Sequence, residues 1–155
     1  MNKLLLIILI GLGIITGCTN NSRQVENSNG NNTHSEASPT TFKKGVFVDL
    51  SDYEKDKRYS EVLELLKTNL GAFVQKDSKS FRSTFVTDSV ADSMVLLIQD
   101  DTQYRFYDKI AIQEVSPSKI NVTINYTNDK VTYEKIFIYN LVKNKEDKWK
   151  ILFID

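Results

Sequence analysis

Cys18 and His34 are the single cysteine and the single histidine of the 155-residue chain, and both precede Gly45. A lone thiol cannot close an internal disulfide, form a CxxC redox pair or complete a multi-cysteine zinc site. From Gly45 onward the chain has neither imidazole nor thiol. Ser-His-Asp and Cys-His nucleophilic chemistry is thereby excluded there, as are histidine-ligated zinc and iron centres. Neither GxxxxGK(S/T) nor GxGxxG occurs, so no phosphate-cradling loop is signalled. Any catalysis in this part must use carboxylates, tyrosines and lysines, and no metal or cofactor is implied. Twenty basic residues balance twenty acidic ones, which gives no basic surface for nucleic acid.

The position of Cys18 carries more information than its chemistry. Met1 to Gly17 has one basic residue, Lys3, and then an apolar run from Leu4 to Ile15. Twelve helical residues rise about 18 Å, short of the roughly 30 Å hydrocarbon core of a bilayer. A charged start, a short apolar centre and small residues at the end describe an export signal rather than a membrane span. Ile15-Thr16-Gly17-Cys18 resembles the bacterial lipoprotein signal, in which the peptidase cuts before a cysteine carrying diacylglycerol. The resemblance implies residues 1–17 as a removed leader and lipidation at Cys18. It also implies a stable anchor at the extracytoplasmic face of a cell membrane, because two or more acyl chains exceed what anchoring needs.

Residues 18–44 form the expected tether. Asn, Ser and Thr dominate after Cys18, and Val25, Ala37 and Phe42 are too few to build a core. His34 is read as a solvated residue of this segment. A flexible chain of that length spans roughly 25–30 Å, enough to lift a small domain clear of lipid headgroups.

Residues 45–155 are expected to form one α+β domain, of a length suited to a single core. Val46 to Leu50 is a short apolar extended segment, compatible with a sheet edge or with a lead into the first helix. Ser51 with Glu54 fits a capping box and predicts a helical start there. Tyr59, Val62, Leu63, Leu66, Leu70, Phe73 and Val74 recur at the spacing of one buried helical stripe. Gly71 interrupts that run, and close packing of another element is expected to compensate for it. Asp77 is expected to cap a second helix, Ser78 to Phe85, and Asp88 a third that carries Val90, Ala91, Met94, Leu97 and Ile98. Leu96 to Ile98 fits helix or strand.

Beyond Gln103 the period becomes two. Ile110 and Ile112, then Ile120, Val122, Ile124 and Tyr126, alternate with polar residues as in strands with one wet face. Ser116-Pro117-Ser118, Asn128-Asp129 and Lys143 to Lys148 read as turns. Val131 to Val142 is apolar on both faces around Ile136, Phe137 and Ile138, which predicts a central strand, a bulge or a partner on its second face. Trp149, Ile151 and Phe153 form the last strand.

An early helix, the phrase Ala72-Phe73-Val74-Gln75-Lys76-Asp77 leading to Phe81 and Phe85, and a strand meander ending in Lys148-Trp149-Lys150-Ile151 resemble the nuclear transport factor 2-like superfamily. The resemblance covers Tyr59 to Asp155. It implies N-terminal helices packed on a strongly bent antiparallel sheet of about four strands, a cone with a pocket at its open end. Functions in that superfamily are diverse, so three readings follow. In the first, members resembling ketosteroid isomerase imply an enzyme with Asp100 or Asp101 as base and Tyr104, Tyr107, Tyr126, Tyr133 or Tyr139 as oxyanion donor. In the second, a cone lined by Phe73, Phe81, Tyr104, Phe106, Tyr126, Phe137 and Tyr139 holds a small apolar or cell-envelope ligand. In the third, the domain is a non-catalytic interaction module that engages an envelope protein, or a second copy as a homodimer, through the open sheet face. A large exposed apolar sheet face favours this last reading, and an enclosed pocket favours the ligand.

Overall fold

The segment from Val46 to Leu50, compatible with two fates in the sequence, takes the sheet. The computed structural model describes residues 41–155. In it Gly45–Asp49 forms strand β1 at one edge. Three helices follow: α1 (Ser60–Gln75), α2 (Ser78–Ser83) and α3 (Asp88–Met94), the last running into a 3-10 turn over Val95–Ile98. The chain then builds β2 (Tyr104–Ser116), β3 (Lys119–Asn128), β4 (Val131–Lys143) and β5 (Trp149–Ile154). Strand order is the order of the chain, β1-β2-β3-β4-β5. β1 lies parallel to β2, and the other pairs are antiparallel. A parallel pair needs a long crossover, and the helical segment supplies it. The sheet is therefore mixed and five-stranded, where four antiparallel strands were expected.

Helix α1 buries Val62, Leu63, Leu66, Leu70 and Phe73, the stripe that the spacing predicts. Its start differs from expectation. Ser51 to Glu54 forms a turn in which the amides of Tyr53 and Glu54 donate to Leu50 O, and α1 begins only at Ser60 after a 3-10 turn over Lys57–Tyr59. Asp49 accepts from the Ser51 amide at 2.9 Å, the bond that Glu54 would accept in a capping box. At the other end α1 closes with Lys76 in the left-handed region at φ 60°. The amides of Lys76 and Asp77 donate to Phe73 O and Ala72 O, so the last carbonyls are satisfied although the residue is not glycine. Asp77 caps α2 as expected, accepting from the amides of Lys79 and Ser80. Thr87, not Asp88, caps α3, since its hydroxyl accepts from Val90 N while Asp88 is already helical. Gly71 has no close neighbour: a methyl group there would meet nothing within 4 Å, so the expected close packing is absent.

The strands alternate as their sequences require. Phe106, Ile110, Ile120, Val122, Ile124, Tyr139, Leu141 and Ile151 are buried with the helix stripe in one core. β2 carries a wide irregularity. Tyr107 opposes Asn125 and Ala111 opposes Thr123, so three residues of β2 face one of β3, with Asp108 at φ 64°. Extra residues on one strand bend it and raise the local twist. β4 is interior, between β3 and β5, and has a register shift at Asn140/Leu141. The Lys143 to Lys148 segment is a tight turn in which Asn144 Oδ1 accepts from the amides of Glu146 and Lys148. The leader at residues 1–17, Cys18, His34 and most of the tether lie outside the described residues. Among the described residues no helix is long and apolar enough to cross a membrane.

Candidate functional site

Phe73 on α1 stands at the centre of the aromatic residues singled out in the sequence. Its ring meets Tyr104 at 4.8 Å, Phe106 at 5.3 Å, Phe81 at 5.5 Å and Phe137 at 5.7 Å between centroids. Tyr126 stacks on Phe137 at 4.1 Å, and Tyr139 lies edge-on to Phe137 at 6.5 Å. The fold brings all seven together because Phe73 and Phe81 project from helices onto the face where Phe106, Tyr126, Phe137 and Tyr139 alternate inward. Separations of 4–7 Å are those of rings in direct contact, which leave no room for a ligand between them. Five clefts of about 250 to 440 Å³ open on the domain, and none of these five is lined by the seven residues.

Asp100 and Asp101 sit at one end of this cluster, in the loop before β2. Asp100 accepts from the hydroxyl and the amide of Thr102, and lies 3.8 Å from Lys76 Nζ and 3.5 Å from Lys130 Nζ. The bonds from Thr102, with the two lysines behind them, hold its carboxyl below the usual carboxylate range. Asp101 receives Lys130 Nζ at 2.8 Å, and this bond lowers it likewise. A general base at neutral pH needs a carboxyl raised toward that pH, so both are set the wrong way for proton abstraction. Burial raises the Tyr104 phenol, and nearby Asp100 adds to the effect. Lys76 places its ammonium 5.1 Å over the Tyr104 ring, and desolvation lowers its pKa against the pull of Asp100. The arrangement is a mixed-charge lid on the ring cluster, in which Lys130 is bound to Asp101 while Lys76 Nζ is buried near Asp100 with no hydrogen-bond partner among the described residues. Tyr139 is fully buried and its hydroxyl has no partner among the described residues, and burial pushes it far above the ordinary phenol range.

On the opposite side of the sheet lies a surface the sequence marked only through Val131 to Val142. Register places Phe47, Tyr107, Asn125 and Ile136 in one row across four strands, and Ala111, Thr123 and Ile138 in a second. Phe47 is 43% and Ile136 54% exposed. The Arg105 guanidinium stacks beside both Phe47, at 5.3 Å, and Tyr107, at 5.9 Å. Arg105, Tyr107, Thr127 and Glu134 line a shallow cleft of about 280 Å³ on this face. Phe47 and Arg105 are contributors that the sequence reading missed. The parallel placement of β1 brings Phe47 here, and nothing local to the segment signals it.

A further cleft of about 340 Å³ lies at the far end of the sheet, between Arg58, Tyr59, Glu114 and Trp149. Its charges are internally matched, with Glu114 accepting from Tyr59 Oη and Arg58, and Arg58 also bound to Asp56 at 2.7 Å. No known family model, curated protein or solved structure matches the chain.

Proposed function

We propose that this protein is a lipoprotein held by Cys18 at the extracytoplasmic face of a cell membrane, whose domain is a non-catalytic module that docks an envelope protein on its open sheet face. The observation that carries the docking reading is the row from Phe47 through Tyr107 and Asn125 to Ile136, an apolar and aromatic strip interrupted by one asparagine, on a face that no helix covers among the described residues. Exposed apolar surface of this kind is costly to leave in water and commonly marks a partner site. The ligand-binding reading loses support because its candidate rings are packed on one another. The isomerase-like reading loses support because Asp100 and Asp101 are lysine-bound and lowered.

The fold itself belongs to the same proposal. A long helix lying on a sheet bent at a wide bulge in β2, followed by a meander to the C-terminus, supports a nuclear transport factor 2-like cone whose interior is filled by rings. The parallel β1 is an addition to that scheme.

The anchor is tested by metabolic labelling with a radiolabelled fatty acid: the chain is expected to take up label and fractionate with membranes, and Cys18→Ser to lose both. Docking is tested by placing a photo-crosslinking amino acid at Ile136 and, as control, at exposed Glu64 on α1. A discrete crosslinked envelope protein from Ile136 alone is the expected result. Equal labelling from both positions, or none from Ile136, refutes the face as the docking surface.

A further inference from the structure

β1 ends the sheet, and among the described residues no strand lies beyond it. The other end is partly occupied, because Val86 N donates to Ile151 O and Ile151 N to Thr84 O, both at 3.0 Å. An edge strand left single is normally protected by proline, a bulge or an inward charge, since its free amides and carbonyls invite another strand. Gly45-Val46-Phe47-Val48-Asp49 carries none of these devices, and Val46 and Phe47 are exposed.

We propose that β1 pairs antiparallel with β1 of a second copy about a two-fold axis at Val46, joining two five-stranded sheets into one of ten. A two-fold axis through an antiparallel pair requires one residue to face itself, which limits the registers to a few. Centring on Val46 sets Lys43 opposite Asp49 of the other copy, twice by symmetry, and Gly45 opposite Phe47. Centring on Phe47 sets Asp49 against Gly45 and Lys44 against Leu50, and leaves the charges unmatched. The groups concerned are free to respond. Lys43 has no carboxylate partner among the described ion pairs and rests its amine 5.1 Å over the Phe47 ring. Asp49 has one oxygen on the Ser51 amide and no ion-pair partner among the described residues. Opposite charges directly across an antiparallel pair stabilise it.

Gly45 supports the same register. Its φ is 153°, and any side chain there would come within 2.7 Å of the Phe47 ring, which leans back over it. In the dimer each ring leans toward the axis and the two meet side by side on the open face, above a position that has no side chain to obstruct them. The contact is short, so the dimer is a reversible one, favoured wherever copies are concentrated. It shares Phe47 with the docking strip but is held by the edge of the sheet, and it forms with no other protein present.

The test uses the full chain in detergent with Cys18→Ser, so that an introduced thiol is the only one. Directly opposed residues in antiparallel strands lie about 4.5–5.5 Å apart between Cα atoms, inside the range a disulfide spans. Val46→Cys is expected to give a disulfide-linked dimer under mild oxidation, and Leu96→Cys, exposed on the helical side, only collisional background. Analytical ultracentrifugation of chains without an added thiol then reads the charges. Lys43→Glu and Asp49→Lys are each expected to weaken the dimer about tenfold, and the double exchange to restore it to within about threefold of the parent. A chain that is monomeric at every concentration, cross-linking at Leu96→Cys equal to that at Val46→Cys, or a double exchange no better than either single change overturns the proposal.

Discussion

Removing the ring of Phe73 separates a filled core from a ligand cone more sharply than any binding assay. The side chain is wholly buried and touches the rings of Phe81, Tyr104, Phe106 and Phe137. Truncating a buried phenylalanine costs about 3–5 kcal/mol, because both the transfer energy and the contacts around the new cavity are lost. Four aromatic neighbours, each worth about 0.5–1.5 kcal/mol beyond buried area, place Phe73→Ala at about 4 kcal/mol or above within that range. A loss of about 4 kcal/mol is a large share of the roughly 5–15 kcal/mol that holds a domain together, and lowers Tm by roughly 15 °C for a domain of this size. Phe73→Leu keeps most of the volume and is expected to cost about 1.5 kcal/mol. Urea unfolding followed through Trp149, the only tryptophan, reads both. A ring lining a roomy pocket would already face empty space or a ligand and would be cheap to remove. A cost below about 1 kcal/mol for Phe73→Ala would therefore refute the filled core and return the rings to candidacy as a binding site.

The Tyr139 hydroxyl is buried without a partner, so Tyr139→Phe is expected to raise stability by about 1 kcal/mol; a loss in chemical denaturation would show that the hydroxyl is bonded in solution. Its folded-state pKa is raised far above the ordinary 10.0, so the stability tied to the neutral phenol is present below about pH 10 and is lost as pH rises beyond it. Tyr139→Phe should flatten that alkaline decline, leaving the part due to Tyr104 and Tyr126, which burial raises in the same direction. Gly71→Ala places a methyl group in open space on α1 and is expected to add about 1 kcal/mol by helix propensity, again read by urea unfolding. The Asp77 carboxyl is lowered chiefly by its bonds from Ser80, so its contribution is present above its unfolded value of 3.8 and lost as pH falls through the lower folded one. An acid titration followed by circular dichroism should show Asp77→Asn with a shallower acid limb than the parent, and an unchanged limb would remove the cap from the account.

Elements whose identity depends on local periodicity were legible: α1 from its apolar stripe, the four hairpin-linked strands from their apolar runs and the turns between them, and α2 from Asp77 at its cap. Where the sequence misled, two local partners competed and only geometry decides. Ser51 and Glu54 have the types of a capping box, but Asp49 takes the Ser51 amide and Leu50 O takes the next free ones, so a turn forms instead. Thr87 and Asp88 are both good caps, and the extended backbone of Thr87 at φ −145° settles which one caps. β1 was undecidable because a parallel edge strand is specified by its partner, 60 residues away in the chain, and by nothing in its own five residues.

The candidate site shows the same division at the level of function. Inward alternation and helix spacing sufficed to gather Phe73, Phe81, Phe106, Tyr126, Phe137 and Tyr139 on one side of the sheet. Whether rings so gathered enclose a space depends on their volumes against the bend of the sheet, and no pattern of residue types carries that sum. The helices press Phe73 into the middle, and the space is gone. The other face is left uncovered by the helices, and there Phe47 arrives from β1 and Ile136 from β4, with Tyr107 and Asn125 between them. A core filled by its own rings leaves no space for a ligand, so a binding function is to be sought on the outside of the domain. The residues to expect function from are then the ones a core-centred reading passes over: Phe47, Arg105, Tyr107 and Ile136 on the sheet face, and Lys43 and Asp49 along its edge.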